Sequence, residues 1–192
     1  MRASSTASTV AVIARSSEDA TIQRIVNVLG SAAVVFQKAS DALGAFHEPH
    51  KAIILLGHGY LDASSPPTEW ALGGFSRPLL RWTDVPEEIH TQVLMFATCN
   101  AAGLADDARR RIGGPGVVIT PSGDLNKAYN QDATEGAYQL AYHAASLGAP
   151  ATVAEINQTW KLAERSLKST TGEVGHHDWD YRVTWTEGDN PW

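Results

Sequence analysis

The chain contains one cysteine in 192 residues. A disulfide within the chain is therefore excluded, and so is a cysteine-rich zinc site. No apolar run is long enough to span a bilayer. The net charge of −6 disfavours a nucleic-acid binder built on phosphate contacts, and no basic run is long enough to reverse that. A Gly-rich phosphate loop is missing too: Gly113-Gly114-Pro115-Gly116 precedes an apolar run, the wrong order for holding phosphate at a helix N-terminus. Charged residues make up only 19% of the chain against 43% hydrophobic, enough apolar material for a sizeable core and too little charge for global disorder.

What is present is an alternation of short apolar runs and helical patterns. Thr9–Ala14, Ala32–Phe36, Ala52–Leu56, Val93–Ala97 and Val117–Thr120 read as strands, rich in Val, Ile and Leu and apolar throughout, as in a parallel sheet covered on both faces. Ser16–Asp19 supplies a cap and first-turn acids for a helix whose apolar positions are Ile22, Ile25, Val26 and Leu29, and Gly30 stands where it should end. Further helices are expected near Ser40–Phe46, near Leu104–Arg111 and over about 134–147 and 152–167, and Tyr181–Thr186 alternates like a last edge strand. The stretch Tyr60–Glu88 reads as a long, functional loop. The pattern predicts one α/β domain over 10–186 with a mainly parallel sheet flanked by helices. A flexible lead-in over 1–9 and a loose tail over 187–192 are expected. The lead-in has no apolar segment of the secretory type, so a cytoplasmic location is the default expectation.

A lone cysteine is either a small buried hydrophobe or a reactive thiol. Position separates the two readings. In an open parallel sheet, function gathers at the carboxyl ends of the strands. His58 directly follows the third expected strand, between Gly57 and Gly59, and Cys99 directly follows the fourth. An imidazole beside a thiol can take its proton or stabilise its thiolate, and the thiolate can then attack a carbonyl. Backbone N–H groups at Gly59 and near Cys99 are candidate donors for the oxyanion that would form.

The segments Leu55-Leu56-Gly57-His58-Gly59 and Phe96-Ala97-Thr98-Cys99-Asn100-Ala101-Ala102-Gly103 resemble the two signatures of caspase-like cysteine peptidases (clan CD), most closely the CHAT branch. The likeness extends over roughly 10–167. It implies a three-layer caspase-like fold and a thiol endopeptidase that needs no cofactor or metal. Cys99 would be the nucleophile, His58 the base, and the Gly59 and Cys99 amides the oxyanion hole. It also implies a protein or peptide substrate, with no nucleic acid or membrane involved, and activation by a separate regulatory partner, since no sensor repeats are attached. A non-catalytic interaction module of the same fold, and a thiol-dependent acyl transferase or cyclase, remain open as alternatives.

For substrate binding the sequence offers acids near the same edge: Asp62, Asp124 and Asp132, with Glu135 beside them. These would suit a basic side chain, although a surface turn at Asp62 and a helix cap at Asp132 account for them equally well. Arg77 and Arg81 would suit an acidic one. Trp70, Trp82, Trp179 and Trp185 would line a peptide groove or simply pack. His176-His177-Asp178 has the residue types of a metal site but not the spacing of one, so a solvated turn is the expectation.

Overall fold

The computed structural model describes residues 8–62, 69–74, 76–113 and 116–121, together with the strand backbone of 181–185. The strands in chain order are β1 (Val10–Ala14), β2 (Ala33–Phe36), β3 (His50–Gly57), β4 (Gly59–Asp62), β5 (Glu69–Gly74), β6 (Arg77–Arg81), β7 (Thr91–Thr98), β8 (Val117–Pro121) and β9 (Tyr181–Trp185). The helices are α1 (Asp19–Leu29), α2 (Ala39–Ala42) and α3 (Ala105–Arg111). The helices expected over 134–147 and 152–167 lie outside the described residues.

The main sheet has the order β2-β1-β3-β7-β8-β9. The first five strands are parallel, and β9 joins β8 antiparallel at the edge, as the alternation of Tyr181–Thr186 predicts. Because a parallel sheet is buried on both faces, side chains of both parities along each strand are apolar. Val12, Ile54, Met95 and Ile119 point to one face, where Ile22, Ile25 and Leu29 of α1 cover them. Ile13, Ile53, Leu55, Leu94 and Phe96 point to the other, beneath Phe46, Ala108 and Ile112. Helix α1 ends where the sequence predicts: Gly30 adopts a φ of 55°, open to glycine at little steric cost, and its N–H returns to the Val26 carbonyl.

The region from Tyr60 to Glu88 is not a long loop. It carries β4, β5 and β6, a three-stranded antiparallel sheet of order β4-β5-β6. The runs are short, Pro78 sits inside β6, and the register slips between Leu72 and Gly73, so no clean two-residue period survives in the sequence. This second sheet docks on the first through Trp70, Leu72, Leu80 and Trp82. Trp70 and Trp82 both pack against Phe96 of β7, with ring centroids 5.5 and 5.4 Å away. Aromatic burial of this size fixes how the small sheet sits over the carboxyl end of β7. No helix among the described residues is long and apolar enough to cross a membrane.

Candidate functional site

Strands β3 and β7 are hydrogen-bonded neighbours whose last register pair is Gly57 with Thr98. His58 and Cys99 are the residues that directly follow these two strands, so the parallel ladder delivers both to one edge. Gly57, at a φ of +127°, lets the chain turn out of the sheet toward β4. Asn100, at a φ of 59°, turns it after Cys99; asparagine is among the few non-glycine residues that enter this region readily. His58 is exposed and Cys99 is half-buried. Burial pushes the Cys99 thiol up from its ordinary value, because the thiolate loses hydration it would otherwise have. The resting thiol is thus neutral near pH 7 and needs a base to become a nucleophile.

The two turns interlock. A side chain at residue 59 would overlap the Cys99 carbonyl oxygen and come within 2.9 Å of both Thr98 Oγ1 and Trp70 Nε1. Only glycine fits there. The Trp70 indole N–H donates to the Cys99 carbonyl at 3.1 Å, and Asn100 Nδ2 donates to the Gly59 carbonyl at 3.1 Å. On the far side, the Gly73 N–H donates to the His58 carbonyl at 2.8 Å. His58 therefore turns its carbonyl toward β5, and alternation along an antiparallel strand turns the polar groups of Gly59 the other way, toward the Cys99 turn. The Gly59 N–H shares that edge with the carbonyl that Asn100 engages.

Beside His58 lies a cleft of about 170 Å³, lined by Arg15, Ser17, Glu18, Gly57, His58 and Gly73 among others. It opens at the carboxyl ends of β1 and β3. The chain runs from β1 outward to β2 on one side, then returns across β1 to β3 on the other. Strand order reverses there, which is where open α/β sheets leave a crevice for ligands. Arg15 lies against the Gly73-Gly74 backbone, and its Nε is buried with no hydrogen-bond partner among the described residues.

Asp62 neither lines this cleft nor sits in a surface turn. It is buried on β4 and paired with Arg81 at 2.6 Å. Arg81 also reaches Glu69 at 3.4 Å, so it is committed to structure and not to a substrate. The Arg81 hydrogen bond to Asp62 raises the guanidinium pKa further. Arg77 is exposed on β6. Trp70 and Trp82 are buried core residues. Asp124, Asp132, Glu135 and the His176-His177-Asp178 group lie outside the described residues, as do the side chains of Trp179 and Trp185. Among the described residues no three His, Cys, Asp or Glu side chains group in a way that would hold a metal ion.

Arg15, Glu18 and Trp70 are site residues that no motif announces, whereas Asn100 stands directly after Cys99 within the Phe96–Gly103 signature segment. Arg15 has one signal: it follows the first strand directly, on the same edge as His58 and Cys99. Trp70 has none in the sequence, since its place depends on a hairpin that is itself hard to read. No protein-family model matches the chain, and comparison with curated proteins gives no match.

Proposed function

We propose that this chain is a cysteine endopeptidase of the caspase-like class, nearest to the CHAT branch, with the corresponding three-layer fold. The observation that supports the reading is the β3–β7 register, whose last pair, Gly57 with Thr98, leaves His58 and Cys99 as the next residues at the same carboxyl edge of a parallel sheet. In the reaction His58 removes the thiol proton, and Cys99 Sγ attacks the carbonyl carbon of the scissile peptide. The tetrahedral oxyanion is held by the Gly59 and Cys99 N–H groups. Collapse breaks the C–N bond, and the imidazolium gives its proton to the leaving amine. Water, deprotonated by His58, then attacks the thioester; the acid departs and the Cys99 thiol is restored. No cofactor enters these steps.

The substrate is a protein or peptide whose side chain next to the scissile carbonyl enters the cleft beside His58. The Arg15 guanidinium is the donor it meets there, so an acidic side chain is the preferred guest. Asp124 and Asp132 have no part in this reading of the cleft. A thiol nucleophile suits a reducing compartment such as the cytoplasm. Because the resting thiol is held neutral by burial, activation by a regulatory partner fits the same site.

The raised thiol also favours a second reading, a non-catalytic interaction module of the same fold. Digestion of a peptide library by the wild-type chain and by Cys99→Ala separates the two. Cys99-dependent cleavage supports the peptidase. No cleavage by either, together with iodoacetamide labelling of Cys99 that His58→Ala leaves unchanged, rejects it.

A further inference from the structure

The main sheet brings His58 and Cys99 to one edge but stops short of fixing them: its last register pair is Gly57 with Thr98, one residue before each. Beyond that pair each segment needs other partners for its backbone groups. Four donors supply them: Thr98 Oγ1, at 3.5 Å from the Cys99 carbonyl, is the longest, and two of the others come from β5. The Gly73 N–H holds the His58 carbonyl, and the Trp70 indole holds the Cys99 carbonyl. The fourth, Asn100, reaches from the cysteine turn to the Gly59 carbonyl of the histidine turn. Strand β5 thus touches both turns, and Asn100 closes the loop between them.

We propose that Trp70 and Asn100 are positioning residues that hold the nucleophile turn in register with the histidine turn, Trp70 through the Cys99 carbonyl and Asn100 through the Gly59 carbonyl. The role rests on the proposed thiol chemistry. Fixing the Cys99 carbonyl fixes its peptide plane, and with it the direction in which the Cα–Cβ bond carries the sulfur. Fixing the Gly59 carbonyl anchors the chain immediately after His58. Only Gly at residue 59 lets these two segments approach closely enough for both bonds to form. Trp82 is a built-in comparison. It packs on the same Phe96 ring, yet its indole N–H goes to Asp107 Oδ2 at 2.7 Å, away from the cysteine turn.

The test is the rate of Cys99 alkylation by iodoacetamide as a function of pH in the full chain. Trp70→Phe keeps an aromatic ring against Phe96 and removes the donor together with part of the indole, a truncation that Trp82→Phe reproduces on the same Phe96 ring. It is expected to slow alkylation near neutral pH roughly tenfold and to abolish the part of the pH profile that depends on His58. Asn100→Gly, which preserves the left-handed backbone, is expected to do the same. Trp82→Phe, which also loses a buried hydrogen bond, is expected to keep the wild-type profile. In a Trp70→Phe/His58→Ala double variant the two losses are expected not to add, since both act on one pair. A wild-type profile in Trp70→Phe, or losses that add in full, overturns the positioning role. If His58→Ala alone has no effect, it is the catalytic pair that fails. The Trp70 tie is then decided by the carbonyl ¹³C resonance of Cys99: movement in Trp70→Phe but not in Trp82→Phe upholds it, and no movement overturns it.

Discussion

The carbonyl oxygen of Cys99 fills the space into which a side chain on Gly59 would project. The obstacle is backbone, held in turn by Trp70, so it cannot swing aside as the end of a flexible side chain would. Gly59→Ala is therefore expected to push the two turns apart, at a cost of about 1–3 kcal/mol of stability, as for other overpacked sites. The variant should also lose His58-dependent alkylation of Cys99. Urea unfolding and labelling rates measure the two effects on one sample. A Gly59→Ala chain as stable and as reactive as wild type would mean that the turns are not held this closely.

The parts of the site carried by the parallel sheet are legible in the sequence, and the parts carried by the antiparallel sheet are not. The runs at Ala52–Leu56 and Val93–Ala97 announce buried strands because both faces are covered. The true strands extend further at both ends, β3 through His50, Lys51 and Gly57 and β7 through Thr91, Gln92 and Thr98. The residues that leave those strands, His58 and Cys99, follow from that reading. Strands β4 to β6 are hidden because Gly73, Gly74 and Pro78 break the alternation that marks a half-buried strand. Asp62 goes astray for the same reason. Its partner Arg81 lies on β6 and Glu69 on β5, so the ion pair exists only once the hairpin does.

That ion pair yields a second expectation. Asp62 is nearly buried, and its carboxylate is matched by the Arg81 guanidinium at 2.6 Å. Removing the Asp62 charge leaves Arg81 with only the longer contact to Glu69, and the buried carboxamide with a weaker partner than the carboxylate had. Asp62→Asn is therefore expected to lower the urea midpoint while leaving Cys99 alkylation and peptide preference as in wild type. A change of preference without a loss of stability would return Asp62 to the substrate site.

His50 provides a pH dependence of stability that is separate from the catalytic edge. Its ring is buried at the opposite end of β3, with Nδ1 at 2.8 Å from Thr9 Oγ1 and the edge of Phe36 nearby. Burial lowers its pKa, and the negative charge of Glu48 opposes that shift only in part. A base whose pKa is lower folded than unfolded contributes stability above its unfolded value of about 6.5 and loses it as pH falls through the folded value. The urea midpoint is expected to drop as pH falls from about 6.5 toward the lower folded value, ahead of the carboxylates Glu69 and Asp107, whose pKa values are lowered. His50→Asn, which keeps a polar group toward Thr9 but cannot gain a proton, should flatten the drop. An unchanged slope in that variant would assign the pH dependence to another group.

The cleft between β1 and β3 sets the last expectation, because it places opposite charges close to one substrate side chain. Arg15 and Glu18 both line it. Ser17 Oγ donates to Glu18 Oε1 at 3.4 Å, and the Arg15 Nε is buried with no hydrogen-bond partner among the described residues. A carboxylate entering the cleft gains a charge-assisted hydrogen bond from Arg15, a contact worth about 1.5–3 kcal/mol. A lysine or arginine side chain would meet the guanidinium at close range. Arg15→Ala is expected to reduce kcat/KM for peptides with an acidic residue before the scissile bond by roughly ten- to hundredfold and to leave uncharged peptides little affected. Glu18→Gln should relax discrimination without reversing it. Profiling a peptide library with wild type and both variants checks the assignment. A wild-type preference for basic residues that survives Arg15→Ala would move the specificity determinant out of this cleft.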